Sequence, residues 1–184
     1  PEKIGVRIHY DYLVIALGSE TNFFGLKNVE KHSFTMKTLA DAISLRNRLI
    51  DMLEQAENEK NPKIKERLLT FVIVGGGFAG VETAGEINDF LHEAVSYYHN
   101  TKKEDIHVIL VEAASTILQG FNKRLTEYAH NKLEKNGIKI VLENAVTSFD
   151  GKNVILNKLS KPSVGIDSKN IINSHTLVWT AGVT

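Results

Sequence analysis

The chain has 184 residues, about one domain, or one and a fraction, at ~150 residues each, so it can bury a core without disulfides or metals. Lys and Arg number 22, Asp and Glu 22, and that zero formal charge excludes the electrostatic footprint of a nucleic-acid binder. No apolar run approaches the ~18 residues of a membrane span, and the lack of cysteine excludes thiolate catalysis, disulfides and Cys-ligated metal or iron–sulfur centres in this stretch.

The first strand candidates are residues 4–10 and 12–17. The second is a near-continuous apolar run of the kind buried on both faces of a parallel sheet. Thr38 with Asp41 three residues on has the spacing of a capping box. Leu39, Ala42, Ile43, Leu49, Ile50, Leu53 and Ala56 then share one helical face. Residues 57–65 read as a charged surface segment punctuated by Pro62.

The central unit is a predicted strand (68–74), a glycine turn, and a helix from about Ala79 to Tyr98. A second buried strand, 106–111, ends at Glu112. Asn122 as N-cap and Gly137 as C-terminal stop bound the next helix, and residues 138–142 form another strand. Asp150-Gly151 between two strand-like runs marks a hairpin. A loop around Lys161, Pro162 and Ser163 leads to strands at 171–173 and 176–181. Residues 13–19 echo residues 177–183 position for position. The chain starts at Pro1 without a signal-peptide pattern and stops just past an apolar run, so it reads as a fragment of a longer protein.

Gly75-Gly76-Gly77-Phe78-Ala79-Gly80 contains the G-x-G-x-x-G dinucleotide fingerprint in its proper setting, between a buried strand and an amphipathic helix. The first glycine permits the tight turn, the second lets backbone approach a pyrophosphate, and the third lets helix pack on strand. Glu112 lies further along than the usual ~20 residues, because the helix and the loop after it are long. A carboxylate at a strand end suits the ribose hydroxyls of an adenosine. No cation in residues 113–116 could receive a 2′-phosphate, so NAD(H) is expected over NADP(H). Phe78, inside the turn, could cover a cofactor ring. Tyr128 and Lys132 have the spacing of a dehydrogenase pair but lie where that pair would not reach a nicotinamide, and the seven His residues show no ligand spacing. No metal site is expected.

With these residues in view, the sequence resembles the type II (alternative) NADH dehydrogenases, within the two-dinucleotide-domain flavoproteins. The resemblance is carried by the run from Tyr10 to Gly25, by the run from Phe71 to Glu82, by Leu110-Val111-Glu112-Ala113, and by Trp179-Thr180-Ala181-Gly182-Val183. It implies hydride transfer from NADH to FAD and on to a quinone or other acceptor, with Glu82 as the catalytic residue beside the nicotinamide–flavin contact. It also implies cofactor binding by Gly75, Gly76, Gly77, Phe78, Ala79, Gly80, Glu112 and Ala113, and by Gly18, Ser19, Gly182 and Val183 on the flavin side. The expected fold is α/β: a Rossmann-like NADH-binding domain (20–175) with a parallel sheet and an antiparallel hairpin layer. Terminal strands (1–19 and 176–184) of a missing FAD domain flank it. The resemblance further implies a cytoplasmic protein, peripheral at the inner face of the cell membrane in its full form. A disulfide or sulfide oxidoreductase of the same architecture, and a dinucleotide-binding module without turnover, stay open as alternatives.

Overall fold

The computed structural model describes residues 5–159 and 170–183; the loop expected around Lys161 to Ser163, and the chain's first and last residues, lie outside these. Among the described residues five α-helices, α1 (Lys27–His32), α2 (Leu39–Asn58), α3 (Pro62–Leu68), α4 (Phe78–Ala94) and α5 (Lys123–Lys135), combine with seven strands. Strands β1 (Thr70–Val74), β2 (His107–Val111), β3 (Lys139–Val141) and β7 (Thr176–Trp179) form a sheet in the order β3-β2-β1-β7. Every pairing in it is parallel. Strands β4 (Asn144–Phe149), β5 (Asn153–Lys158) and β6 (Asn170–Asn173) make an antiparallel sheet.

The layers follow from strand periodicity. Phe71 and Ile73 of β1, Val108 and Leu110 of β2, and Val178 of β7 pack with Leu49, Leu53, Ala84, Ile87 and Leu91 on the helical side. The alternate residues Val72, Val74, Ile109, Val111, Leu177 and Trp179 pack on Val146, Phe149, Val154 and Leu156 of the antiparallel layer. Successive strand side chains point to opposite faces, so a strand covered on both sides must be apolar throughout. Replacing Phe71, fully buried at the centre, by alanine costs about 3–5 kcal/mol.

Local signals hold where short-range chemistry decides. The capping box forms, with the Thr38 hydroxyl accepting from the Asp41 amide and the Asp41 carboxylate from the Thr38 amide. Asn122 caps α5, and Gly137 takes a φ of 89° just beyond it. Asp150 and Gly151 turn the β4–β5 hairpin.

Four expectations change. Residues 5–20 form no strand, and Tyr12, Val14 and Leu17 are almost fully exposed, because a strand needs a neighbour for its N–H and C=O groups and none of the described residues supplies one. Thr176–Trp179, expected as a strand of a missing FAD domain, is instead the edge strand of the parallel sheet, in register with Phe71 to Val74. The charged segment after α2 contains a further helix, α3, with Asn61 as N-cap and Pro62 at its first position, where a missing N–H costs nothing. In α2 the buried stripe is Leu45, Leu49, Met52, Leu53 and Ala56, while Leu39 and Ile43 are exposed; the first turn overhangs the core. No helix among the described residues is long and apolar enough to cross a membrane.

Candidate dinucleotide site at the carboxyl ends of the parallel strands

The glycine turn sits where β1 meets the start of α4, flanked by the ends of β2 and β7. Strand β1 has later strands on either side, so this is the point where strand order reverses, the usual crevice for ligands in open α/β sheets. The Gly75 amide donates to Val111 O (2.8 Å), and the Leu118 amide donates to Gly76 O (2.7 Å). These bonds tie the turn to β2 and to the loop beyond it.

The three fingerprint glycines are needed for different reasons. Gly75 has φ +108°, and a Cβ there would lie 2.8 Å from Ala181 Cα. Gly77 is exposed, with no atom within 4 Å of where its Cβ would be. The space in front of its backbone is open to a ligand. A Cβ on Gly80 would overlap the Gly75 carbonyl oxygen and lie 2.8 Å from Thr180 Oγ1, so α4 packs directly on the turn. The first intrahelical bond of α4 is Val81 N–H to Gly77 O (3.0 Å). The amides of Phe78, Ala79 and Gly80 precede it and have no intrahelical acceptor. Amides of this kind, at the positive end of a helix dipole, bind phosphate.

Glu112 is half-buried at the end of β2. Its Oε2 accepts from the Gly76 amide and its Oε1 from the Ala114 amide (2.7 Å). The carboxylate thus braces the glycine turn, a function its position in sequence did not suggest. Each oxygen keeps a lone pair for a ribose hydroxyl. Gly76, Gly77, Phe78, Glu112, Thr116, Leu118, Gln119 and Phe121 line a cleft of about 190 Å³. Phe78, 55% exposed, meets Phe121 edge to face at 4.9 Å, so the two rings stand together at its rim. Sequence reasoning missed Phe121 and Leu118; Gly120 was the available turn signal, and the left-handed backbone of Leu118 (φ 50°) and Gly120 (φ 90°) shows only in the fold. Glu82 is exposed on α4 four residues beyond Phe78, and Ala79 and Ala113 are exposed beside the turn. Residues four apart on a helix share a face.

Gly182 and Val183 follow Ala181, the residue against Gly75. The Asn22 amide donates to Gly182 O (3.1 Å), Thr21 bridges Val183, and a Cβ on Gly182 would meet the Phe24 ring at 2.7 Å. Ser19 accepts from Lys37 Nζ (2.8 Å), and Gly18 takes φ +75° in an exposed stretch. Gly18 and Ser19 make no hydrogen bond to the glycine turn among the described residues; Thr21, two residues on from Ser19, makes the bridge to Val183. A larger cavity, about 510 Å³, lies at the opposite ends of β1 and β2, lined by Lys63, Arg67, His107 and Lys139 among others. Arg67 sits in the last turn of α3, where a helix dipole favours a cation, and the fingerprint amides are at the other end of the sheet.

The profile of the pyridine nucleotide-disulphide oxidoreductase family matches residues 2–184. The chain is 35% identical over its whole length to the external alternative NADH-ubiquinone oxidoreductase of Yarrowia lipolytica mitochondria, covering 31% of that protein. It is 34% identical over 95% of its length to the type II NADH:quinone oxidoreductase Ndh of Mycobacterium tuberculosis, covering 37% of it. The fold superimposes on NDH2 of Plasmodium falciparum, solved in complex with NADH, with a TM-score of 0.83 over 97% of this chain and 36% of that one, at 24% identity. The chain thus spans about a third of the length of the relatives it matches.

Proposed function

The chain belongs to the pyridine nucleotide-disulphide oxidoreductase family, and from that premise we propose that it is the NADH-binding portion of a flavoprotein that passes a hydride from NADH to FAD and electrons on to a quinone. The observation that carries the reading is the open backbone at Gly77 beside the α4 amides that lack an intrahelical acceptor, with Glu112 across the same cleft.

In this proposal the amides at the start of α4 hold the pyrophosphate, and Glu112 takes the ribose hydroxyls while keeping the Gly76 amide. Phe78 and Phe121 wall the cleft and exclude water. Glu82, with Phe78 on the exposed face of α4, borders the nicotinamide. The residues present fit a dinucleotide, whereas only an edge of a flavin site is accounted for, by Gly182, Val183 and the Gly18–Ser19 segment. FAD, when bound, supplies the hydride acceptor; this chain's part is to bind and orient the donor.

The exposed apolar residues Tyr12, Leu13, Val14, Ile15 and Leu17 support residues 1–19 as the border with a flavin domain, while the NAD(H)-binding unit runs from residue 20 through strand β7, which pairs with β1. A quinone is lipid-borne, so peripheral attachment at the inner face of a membrane belongs to the same proposal. The test is a fluorescence titration of the chain with NADH beside its Gly77→Val variant. Saturable binding by the first and none by the second is the expected result; equal binding by both would remove the site from the turn.

A further inference from the structure

We propose that Thr180 is a positioning residue for the glycine turn: its hydroxyl and the Glu112 carboxylate hold opposite ends of the Gly75–Gly76 peptide, setting the turn for a pyrophosphate. The proposal rests on the dinucleotide reading above and adds a residue to it.

The Thr180 hydroxyl donates to Val74 O at 2.7 Å and lies 3.3 Å from Gly75 O. One proton is thus shared between two carbonyls, a three-centre arrangement. Val74 O also receives the Thr180 amide at 2.9 Å, its two lone pairs serving the amide and the hydroxyl. The hydroxyl's distinctive reach is to Gly75 O. On the other side of the same peptide, the Gly76 amide donates to Glu112. A peptide group is planar, so fixing its oxygen on one side and its N–H on the other removes its freedom to rotate.

A peptide between two glycines has wide freedom, which the packing of Gly80 against the Gly75 oxygen already narrows. The peptide lies between two glycines, one of them at φ +108°, and glycine crosses conformational regions closed to other residues. A flipped peptide would turn Gly75 O toward the phosphates and take the Gly76 N–H off Glu112. Thr180 prevents this from the end of β7, the strand that leads to Gly182 and Val183. The turn is therefore set partly by a strand lying about a hundred residues further along the chain.

Thr180→Val keeps the shape and removes the hydroxyl; Thr180→Ser keeps the hydroxyl. NADH titrations of the chain and both variants, each with a urea midpoint, make the test. We expect valine to weaken NADH about 3–10-fold, the worth of a hydrogen bond of roughly 0.5–1.5 kcal/mol. Serine should stay within about twofold of the starting chain and keep its urea midpoint, whereas the valine midpoint should fall by no more than the loss of one hydrogen bond brings. Thr180→Ala replaces the valine if the latter does not fold. NADH affinity unchanged without the hydroxyl, a loss as large with serine as with valine, or a loss that merely follows the urea midpoint would each overturn the proposal while leaving the dinucleotide reading in place. No NADH binding by the unsubstituted chain would overturn both.

Discussion

Gly80 and Gly75 are packed so closely that a Cβ on the first would overlap the carbonyl oxygen of the second. Gly77, three residues earlier, faces open space. One motif therefore holds two kinds of glycine, one required by the fold and one that, on the function proposed above, serves the ligand. Gly80→Ala must push α4 off the turn and should destabilise the chain by about 1–3 kcal/mol, the usual cost of overpacking. Gly77→Ala has an allowed backbone (φ −73°) and an empty site, so its urea midpoint should stay within about 0.5 kcal/mol of the starting chain while NADH affinity falls. Equal midpoints for the two variants would contradict this division.

This division also marks what could be read in the sequence. The fingerprint, the capping box at Thr38, the stop at Gly137 and the turn at Gly151 were legible because each depends on residues a few positions apart. Residues 12–17 carry the strand pattern and yet form none, since pairing is a property of neighbours and not of the run itself. The place of Thr176–Trp179 in the sheet is hidden for the same reason: its partner is β1, about a hundred residues away. Within the site, Glu112 was legible as an acid at a strand end, but its bonds to Gly76 and Ala114 require the folded loop. Thr180 and Phe121 were invisible for that reason too.

Trp179 is the sole tryptophan, is almost fully buried, and reports on how the segment before α1 docks. Its indole N–H donates to Asn22 O (2.9 Å) and its ring stacks on Phe23 at 5.8 Å. Phe23→Ala should cost about 0.5–1.5 kcal/mol of stacking beyond the lost burial. It should also shift tryptophan emission to the red before any global unfolding. Emission unchanged from the starting chain would show that the ring is shielded without Phe23.

His175 gives the fold a dependence on pH. Burial first, then the nearby charges of Arg48, Lys152 and Arg67, hold its imidazole below the ordinary value of 6.5. The unfolded chain binds this proton more readily than the folded one, so stability rises with pH across the interval. The contribution is fully present above about pH 6.5 and is lost as pH falls through that value toward the lower folded one. Asp150, held down first by the Asn153 side chain and then by the Lys152 and Asn153 amides, acts in the same direction at lower pH. His175→Gln leaves the backbone bonds of residue 175 to Arg67 O and Arg48 intact. Urea midpoints measured between pH 5 and 7.5 should therefore slope less in the variant; parallel slopes would assign the pH dependence elsewhere.

Glu112 sets the choice between NADH and NADPH, on the reading proposed above. A carboxylate that receives the ribose hydroxyls would meet a 2′-phosphate at close range, and residues 113–116 offer no cation to offset it. Two like unit charges about 4 Å apart repel by about 1 kcal/mol in water and about 4 kcal/mol at an effective dielectric near 20. That corresponds to a preference of roughly tenfold to several-hundred-fold. The bonds from Gly76 and Ala114 hold the charge in place and leave it unable to swing away from a phosphate. Glu112→Ala should weaken NADH by about 1–3 kcal/mol through the lost charged hydrogen bonds, and should loosen the turn as well. Turn loosening weakens both nucleotides alike, because both carry the same pyrophosphate. The loss of repulsion helps NADPH alone. The ratio of the two dissociation constants, taken at one ionic strength, therefore isolates the charge from the brace: it should move toward NADPH on substitution, and a ratio that stays fixed would leave Glu112 with the structural task only.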